Sequence, residues 1–219
     1  MNIKLCDKTI VQVNNTKFLG LTIEDNLSWS LHINNISSKI SKSLGLMYKA
    51  KKVLPGLDLL PLYYSYIFPY LIYALPIWGG SSPMKLQPIL KNLKRAIRIM
   101  ANVKQRQSIT QAFYDLKMLK VPELYIYYLA IFMYKSINQL IAPQFAELYE
   151  KNEQLGIRST RQSTDIHIPK LVKPKTQLNI RLRGATIWRD ILDKPTFDCP
   201  ISSFKKYILD KLLESYDQR

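Results

Sequence analysis

From Ser30 onward the apolar residues fall into a 3.6-residue period, with Ile33, Ile36, Ile40, Leu44 and Met47 on one face and Lys39, Lys42 and Lys49 on the other. A second stretch, opening on Pro83, repeats the pattern more clearly. Leu86, Ile89, Leu90, Leu93, Ile97 and Met100 form its apolar stripe, and Lys91, Lys94, Arg95 and Arg98 its opposite face. Two long amphipathic helices make a chain of 219 residues mainly α, with enough length for one large domain or two modest ones.

Strand signals are confined to the beginning. Ile3 to Leu5 and Thr9 to Val13 flank Asp7-Lys8 as a hairpin, and Phe18, Leu19, Leu21 and Ile23 alternate around Gly20 as a half-buried strand, Lys17 to Ile23. Asn26 or Ser28 caps the first helix, and Pro55-Gly56 stops it. Leu59 to Pro83 then carries no charge at all, which raises the question of a membrane span. Pro61, Pro69 and Pro76 interrupt it, and Tyr63, Tyr64, Tyr66, Tyr70 and Tyr73 leave it poor in aliphatics, so a buried, kinked helix or helix pair is expected. Gln107 to Leu116 and Pro122 to Leu140 read as further helices, the second rich in tyrosine. Gln154 to Lys175 is polar and basic and reads as a loop or linker. Leu178 to Leu182 reads as a strand, Ala185 to Leu192 as a helix, and a last helix runs from Ser202 with Phe204, Ile208 and Leu212 on one face.

The 32 Lys plus Arg against 16 Asp plus Glu give a formal charge of +16, which favours a polyanionic partner, nucleic acid first and an anionic membrane surface second. The distribution says more than the total. Between Asp25 and Asp115 the only carboxylate is Asp58, while Lys39, Lys42, Lys49, Lys51, Lys52, Lys85, Lys91, Lys94, Arg95, Arg98, Lys104 and Arg106 fall in the same span. A merely solvated helix face interleaves both signs, whereas a one-signed face suits phosphate. These side chains are expected to line one common wall. Cys6 and Cys199 lack the spacing of a zinc finger, and MNIKLCDKTI lacks the pattern of a secretory signal, so an intracellular site, nuclear or cytoplasmic, is expected.

Catalytic signals are thin. Two-metal phosphoryl transfer needs converging carboxylates, and the one adjacent acidic pair, Glu24-Asp25, sits where a strand turns into a helix and suits a turn or cap. His32 and His167 have no Cys, Asp or Glu at ligand spacing and read as surface or packing residues. Trp29, Trp78 and Trp188 read as core anchors, and the tyrosines of 125–134 as core.

Several stretches carry a family likeness in a fixed order: KFLGLTIEDNLSWSLHI at 17–33, SYIFPYLIYALPIWGG at 65–80, LQPILKNLKRAIRIM at 86–100, then TRQSTDIHIPK at 160–170 with IRLRGATIWRDIL at 180–192, and SFKKYILDKLL at 203–213. Together they resemble the carboxyl-terminal third of reverse transcriptases of non-LTR, LINE-type retrotransposons of the jockey-like group. The resemblance implies a mainly α fold: a small antiparallel β remnant of the palm (1–28), a helical thumb bundle (29–118), a helical carboxyl-terminal extension (119–153), a linker (154–177), and a last strand and helices (178–219).

By the same resemblance Lys17, Phe18, Leu19 and Gly20 look like the primer-grip turn, which supports the primer's 3′ end. Lys39, Lys42, Lys49, Lys91, Lys94, Arg95 and Arg98 would hold the backbone of an RNA/DNA template-primer duplex. The family's tyrosine-x-aspartate-aspartate motif is absent, so no catalytic residue, metal ligand or cofactor is assigned here, although the parent polymerase would use Mg2+. The missing palm and fingers are then partners, the chain alone is expected to be inactive, and it reads as a truncated element copy. The alternatives are a free-standing basic nucleic-acid-binding module and, behind it, a membrane protein using Leu59 to Pro83.

Overall fold

The structure, a computed structural model, describes residues 3–5, 8–54, 58–104, 107–149, 152, 166–168, 180–190 and 199–217. It is mainly helical, with short antiparallel hairpins at the N-terminus. The first hairpin pairs β1 (Ile3–Leu5) with β2 (Lys8–Ile10), Ile3 opposite Ile10. Its second strand ends three residues before the expected Val13, and Val11 and Val13 are 77% and 58% exposed, with no surface to bury them.

The single strand expected over Lys17 to Ile23 is instead a second hairpin, β3 (Asn15–Phe18) against β4 (Leu21–Glu24), with Phe18 opposite Leu21. Leu19 (φ 45°) and Gly20 (φ 82°) both take the left-handed region, as the two central residues of a tight hairpin turn of the I′ kind must. Gly20 does so freely; Leu19 does so at a cost. The expected half-burial is divided accordingly, since Leu21 is buried while Phe18 and Leu19 are exposed.

Helix α1 (Ser30–Val53) buries the predicted stripe, together with His32. Of the two expected caps Ser28 contributes at its start, where Ser28 Oγ accepts the Ser30 amide at 3.3 Å, and Asn26 does not. The residue before the helix, Trp29, is left-handed (φ 61°), and the Glu24 carboxylate on β4 accepts the Leu31 amide at 3.0 Å. An anionic group on a free N–H at a helix start satisfies both the orphan donor and the macrodipole. Asn26 acts one step earlier, accepting the Ser28 amide within the turn. The proposed stop at Pro55-Gly56 lies outside the described residues.

The uncharged stretch forms three short helices, α2 (Leu60–Tyr66), α3 (Phe68–Ile72) and α4 (Leu75–Trp78), each with a proline in its first turn, where the missing N–H costs nothing. Among the described residues no helix is long and apolar enough to cross a membrane. Helix α5 (Pro83–Ala101) follows, then α6 (Thr110–Asp115), α7 (Val121–Ile137) and a 3-10 turn, Pro143–Leu148. The strand expected at Leu178 to Leu182 is corrected. Residues 180–182 begin α8 (Ile180–Asp190), and 178 and 179 lie outside the described residues, as does nearly all of the 154–177 linker. Helix α9 (Ile201–Asp217) is the last of the described elements.

Three hydrogen bonds fix how α1 and α5 lie. Lys85 Nζ donates to Ser28 O, Asn92 Nδ2 to Ser37 O, and Lys51 Nζ to Ile99 O, at 2.9, 2.9 and 2.6 Å. Both helices advance together through these bonds, so the two longest stripes pack parallel, and α2–α4 is the crossover that makes this possible. The crossover and α7 cover the other side of the pair, and α7 in turn packs against α8 and α9. Trp78, Tyr63, Phe113 and Phe204 are essentially fully buried, and Trp29 and Trp188 nearly so, which bears out the tryptophans as core anchors.

Candidate nucleic-acid interface

Of the seven basic residues singled out, Lys39, Lys42, Lys49, Lys91, Lys94 and Arg95 are exposed and Arg98 is half-buried. None is paired with a carboxylate among the described residues. Arg98 reaches Gln107 O at 3.4 Å through one terminal nitrogen, and its Nε is buried without a partner. Two cations of the acid-free span are structural instead. Lys51 binds Ile99 O and Asn102 Oδ1 at the end of α5, and Lys85 binds Ser28 O below α1. Arg106 lies outside the described residues.

Helix geometry sends the seven in more than one direction from the α1–α5 pair. On α1 the flank that meets the crossover carries Ser43, whose Oγ donates to Tyr66 O at 2.9 Å, and Lys39, whose ammonium lies 5.3 Å from the Tyr70 ring centroid. On α5 Lys85 and Asn92 face α1, Leu86, Leu93 and Ile97 are buried, and α6 and α7 pack against the helix besides α1. At 100° per residue, Lys91, Arg95 and Arg98 then point away from that buried side of α5. The site is therefore a basic face on α5, spanning two turns, with Lys39 at the crossover edge of α1 and Lys42 and Lys49 exposed on the same helix.

The α1 flank that carries Lys39 also holds the hairpin. His32, buried on α1, accepts the Thr22 amide through Nδ1 at 3.3 Å, and Asn35 Nδ2 donates to Thr22 Oγ1 at 3.2 Å, which docks β4 on the same flank that carries Lys39. The tip itself is held by Tyr73, whose phenol donates to Leu19 O and whose ring lies beneath Gly20. A Cβ on Gly20 would sit 3.5 Å from that ring, an ordinary separation, so the glycine answers to its φ rather than to crowding. Lys17 and Phe18 project from β3 into solvent, Phe18 61% exposed.

His32 is ringed by Trp29 and Trp78, both edge-on at centroid distances of 6.2 and 5.9 Å. Burial, aided by Lys39, holds its pKa below the usual 6.5, so it is neutral near pH 7. With Nδ1 accepting, Nε2 carries the hydrogen, and this atom is buried without a hydrogen-bond partner. Its role is packing and docking. Among the described residues no group of three or more His, Cys, Asp or Glu is placed to hold a metal ion, so these residues do not fit the Mg2+ of a polymerase centre. Glu24 serves α1 as a cap.

Sequence reasoning missed the tyrosines of the crossover as surface residues. Tyr66, Tyr70 and Tyr73 are 48%, 37% and 51% exposed, against 1% for Tyr63. Their spacing, i, i+4 and i+7, was the available signal, since a single helix would carry all three on one face, although here α2 ends at Tyr66 and α3 at Ile72. Compared with models of known protein families, with curated proteins and with solved structures, the chain matches none.

Proposed function

We propose that this chain is the thumb-side part of a non-LTR retrotransposon reverse transcriptase and binds the sugar-phosphate backbone of a template-primer duplex without itself performing polymerisation. The observation that carries the reading is the α5 face: Lys91, Lys94, Arg95 and Arg98 within two turns, unpaired with any carboxylate among the described residues, on a chain of net charge +16. Such a face neutralises phosphates irrespective of sequence and releases their counterions. The ordered likeness of the sequence stretches to that family supplies the identity of the polyanion.

A free-standing basic module is the second reading. The N-terminal hairpins weigh against it, because Val11, Val13, Phe18 and Leu19 present apolar side chains to solvent where a self-contained module would cover them. Filter binding of an RNA/DNA duplex across a salt series tests the phosphate grip. Affinity should fall linearly on logarithmic axes, and changing all four α5 cations to Gln should flatten the slope by about 0.9 for each phosphate no longer neutralised. Binding that ignores salt, or a quadruple variant with an unchanged slope, overturns the assignment.

A further inference from the structure

We infer that the Tyr66–Tyr70–Tyr73 strip is a stacking platform for unpaired bases, with Lys39 holding the phosphates alongside. The inference rests on the nucleic-acid reading above but names a different surface and a different form of the ligand. The three tyrosines follow one another along the α1 flank, Tyr66 at the end of α2 beside Ser43, Tyr70 on α3 beside Lys39, and Tyr73 after α3 at the hairpin turn, and three rings offer room for about two or three bases. Two hydrogen bonds fix the strip in place. Ser43 Oγ binds Tyr66 O, and the Tyr73 phenol binds Leu19 O in the hairpin turn, so one end of the strip is tied to α1 and the other to β3–β4. Lys39 stands over the middle ring, 5.3 Å from the Tyr70 centroid.

The chemistry selects the occupant. Exposed aromatic faces bordered by a cation, on a stretch from Leu59 to Pro83 without a single acid, complement a chain that alternates flat rings with negative charge. A duplex cannot use the strip, because its base faces are already stacked on one another, whereas a single strand can. The platform leads to the exposed Phe18 and Leu19 at the hairpin tip and is built on α1, whereas Lys91, Arg95 and Arg98 belong to α5. Duplex backbone and unpaired strand are thereby given separate surfaces.

The test compares labelled oligo(dT) with an abasic oligonucleotide of the same length, which keeps the phosphates and lacks the bases, by fluorescence anisotropy with the full chain. The expected result is about tenfold tighter binding of oligo(dT) at fixed salt. The double variant Tyr66→Leu, Tyr70→Leu, which keeps apolar bulk at two exposed sites, should bring the two ligands within about twofold of each other and leave the salt slope unchanged. Tyr70→Phe, which keeps the ring, should retain the preference. Equal binding of both oligonucleotides by the wild type overturns the platform while leaving the phosphate grip standing, and a duplex that fails to bind in the salt series fails the underlying reading separately. A double variant that still prefers oligo(dT) places stacking elsewhere and overturns the assignment. So does capture by phosphatidylserine vesicles without any preference between the oligonucleotides, which would make the strip a membrane-surface contact.

Discussion

Acidification should loosen the docking of the β3–β4 hairpin through one side chain, His32. Its ring is 4% exposed, and its Nδ1 is the acceptor for the Thr22 amide. Burial, and secondarily Lys39, hold its folded-state pKa below 6.5. As pH falls through 6.5 the unfolded chain takes up a proton that the folded chain still refuses. The unfolded state then binds more protons, and stability declines until the folded-state pKa is reached. Above 6.5 the contribution is complete. A single group limits the slope to about 1.4 kcal/mol per pH unit. Part of that loss is the Thr22 hydrogen bond, about 0.5–1.5 kcal/mol. His32→Asn is the matched control, since its amide oxygen can accept the Thr22 amide yet does not titrate. Urea unfolding followed by helical circular dichroism at pH 7.5 and 5.5 should show the wild type losing up to about 1 kcal/mol more than the variant. Equal losses in the two proteins would refute the role given to His32.

Three further outcomes are expected. Tyr216→Phe removes the acceptor of the Lys120 amide, a 2.8 Å bond, while leaving the ring on which Lys120 Nζ rests at 4.0 Å; it should cost about 1 kcal/mol in thermal unfolding. Gly184→Ala sets a methyl 2.6 Å from Tyr149 Oη and 2.8 Å from Met133 Sδ at the packing of α8 on α7, and should destabilise by about 1–3 kcal/mol by denaturant titration. Leu19→Asn replaces an exposed leucine at a left-handed φ with a residue suited to it, so size-exclusion chromatography should show less self-association and calorimetry no fall in melting temperature.

What was legible in the sequence follows from how many faces each element buries. Helices α1, α5 and α9 bury one face each, so their stripes stand out, and Ile33 to Met47, Leu86 to Ile97, and Phe204, Ile208 and Leu212 all enter the core. The hairpin at Leu19-Gly20 was not legible as such, because a turn that begins on leucine lacks the usual Asn or Asp and its glycine reads as an interior residue of one strand. The stretch Leu178 to Leu182 is too short for its period to separate strand from helix, and packing against α7 decides it for 180–182. The basic site was half legible. Each helix declares its own solvent face, but whether two such faces coincide depends on the mutual direction and line of approach of the helices. These are set by Lys85, Asn92 and Lys51 meeting Ser28, Ser37 and Ile99.

The parallel pairing of α1 and α5 also sets a timetable for synthesis. Antiparallel neighbours can zip as soon as a short turn is made, but here the partner of Ile33, Ile40 and Met47 is complete only when Ala101 has been added, about fifty residues after Val53. At ~5–20 residues per second, a nascent chain carries that stripe unmatched for several seconds. During that interval only the β3–β4 hairpin docked on α1 and the crossover can shelter it, so slow codons placed between Leu60 and Trp78 would lengthen the exposure, whereas a pause after Ala101 would let the pair close before α7 emerges.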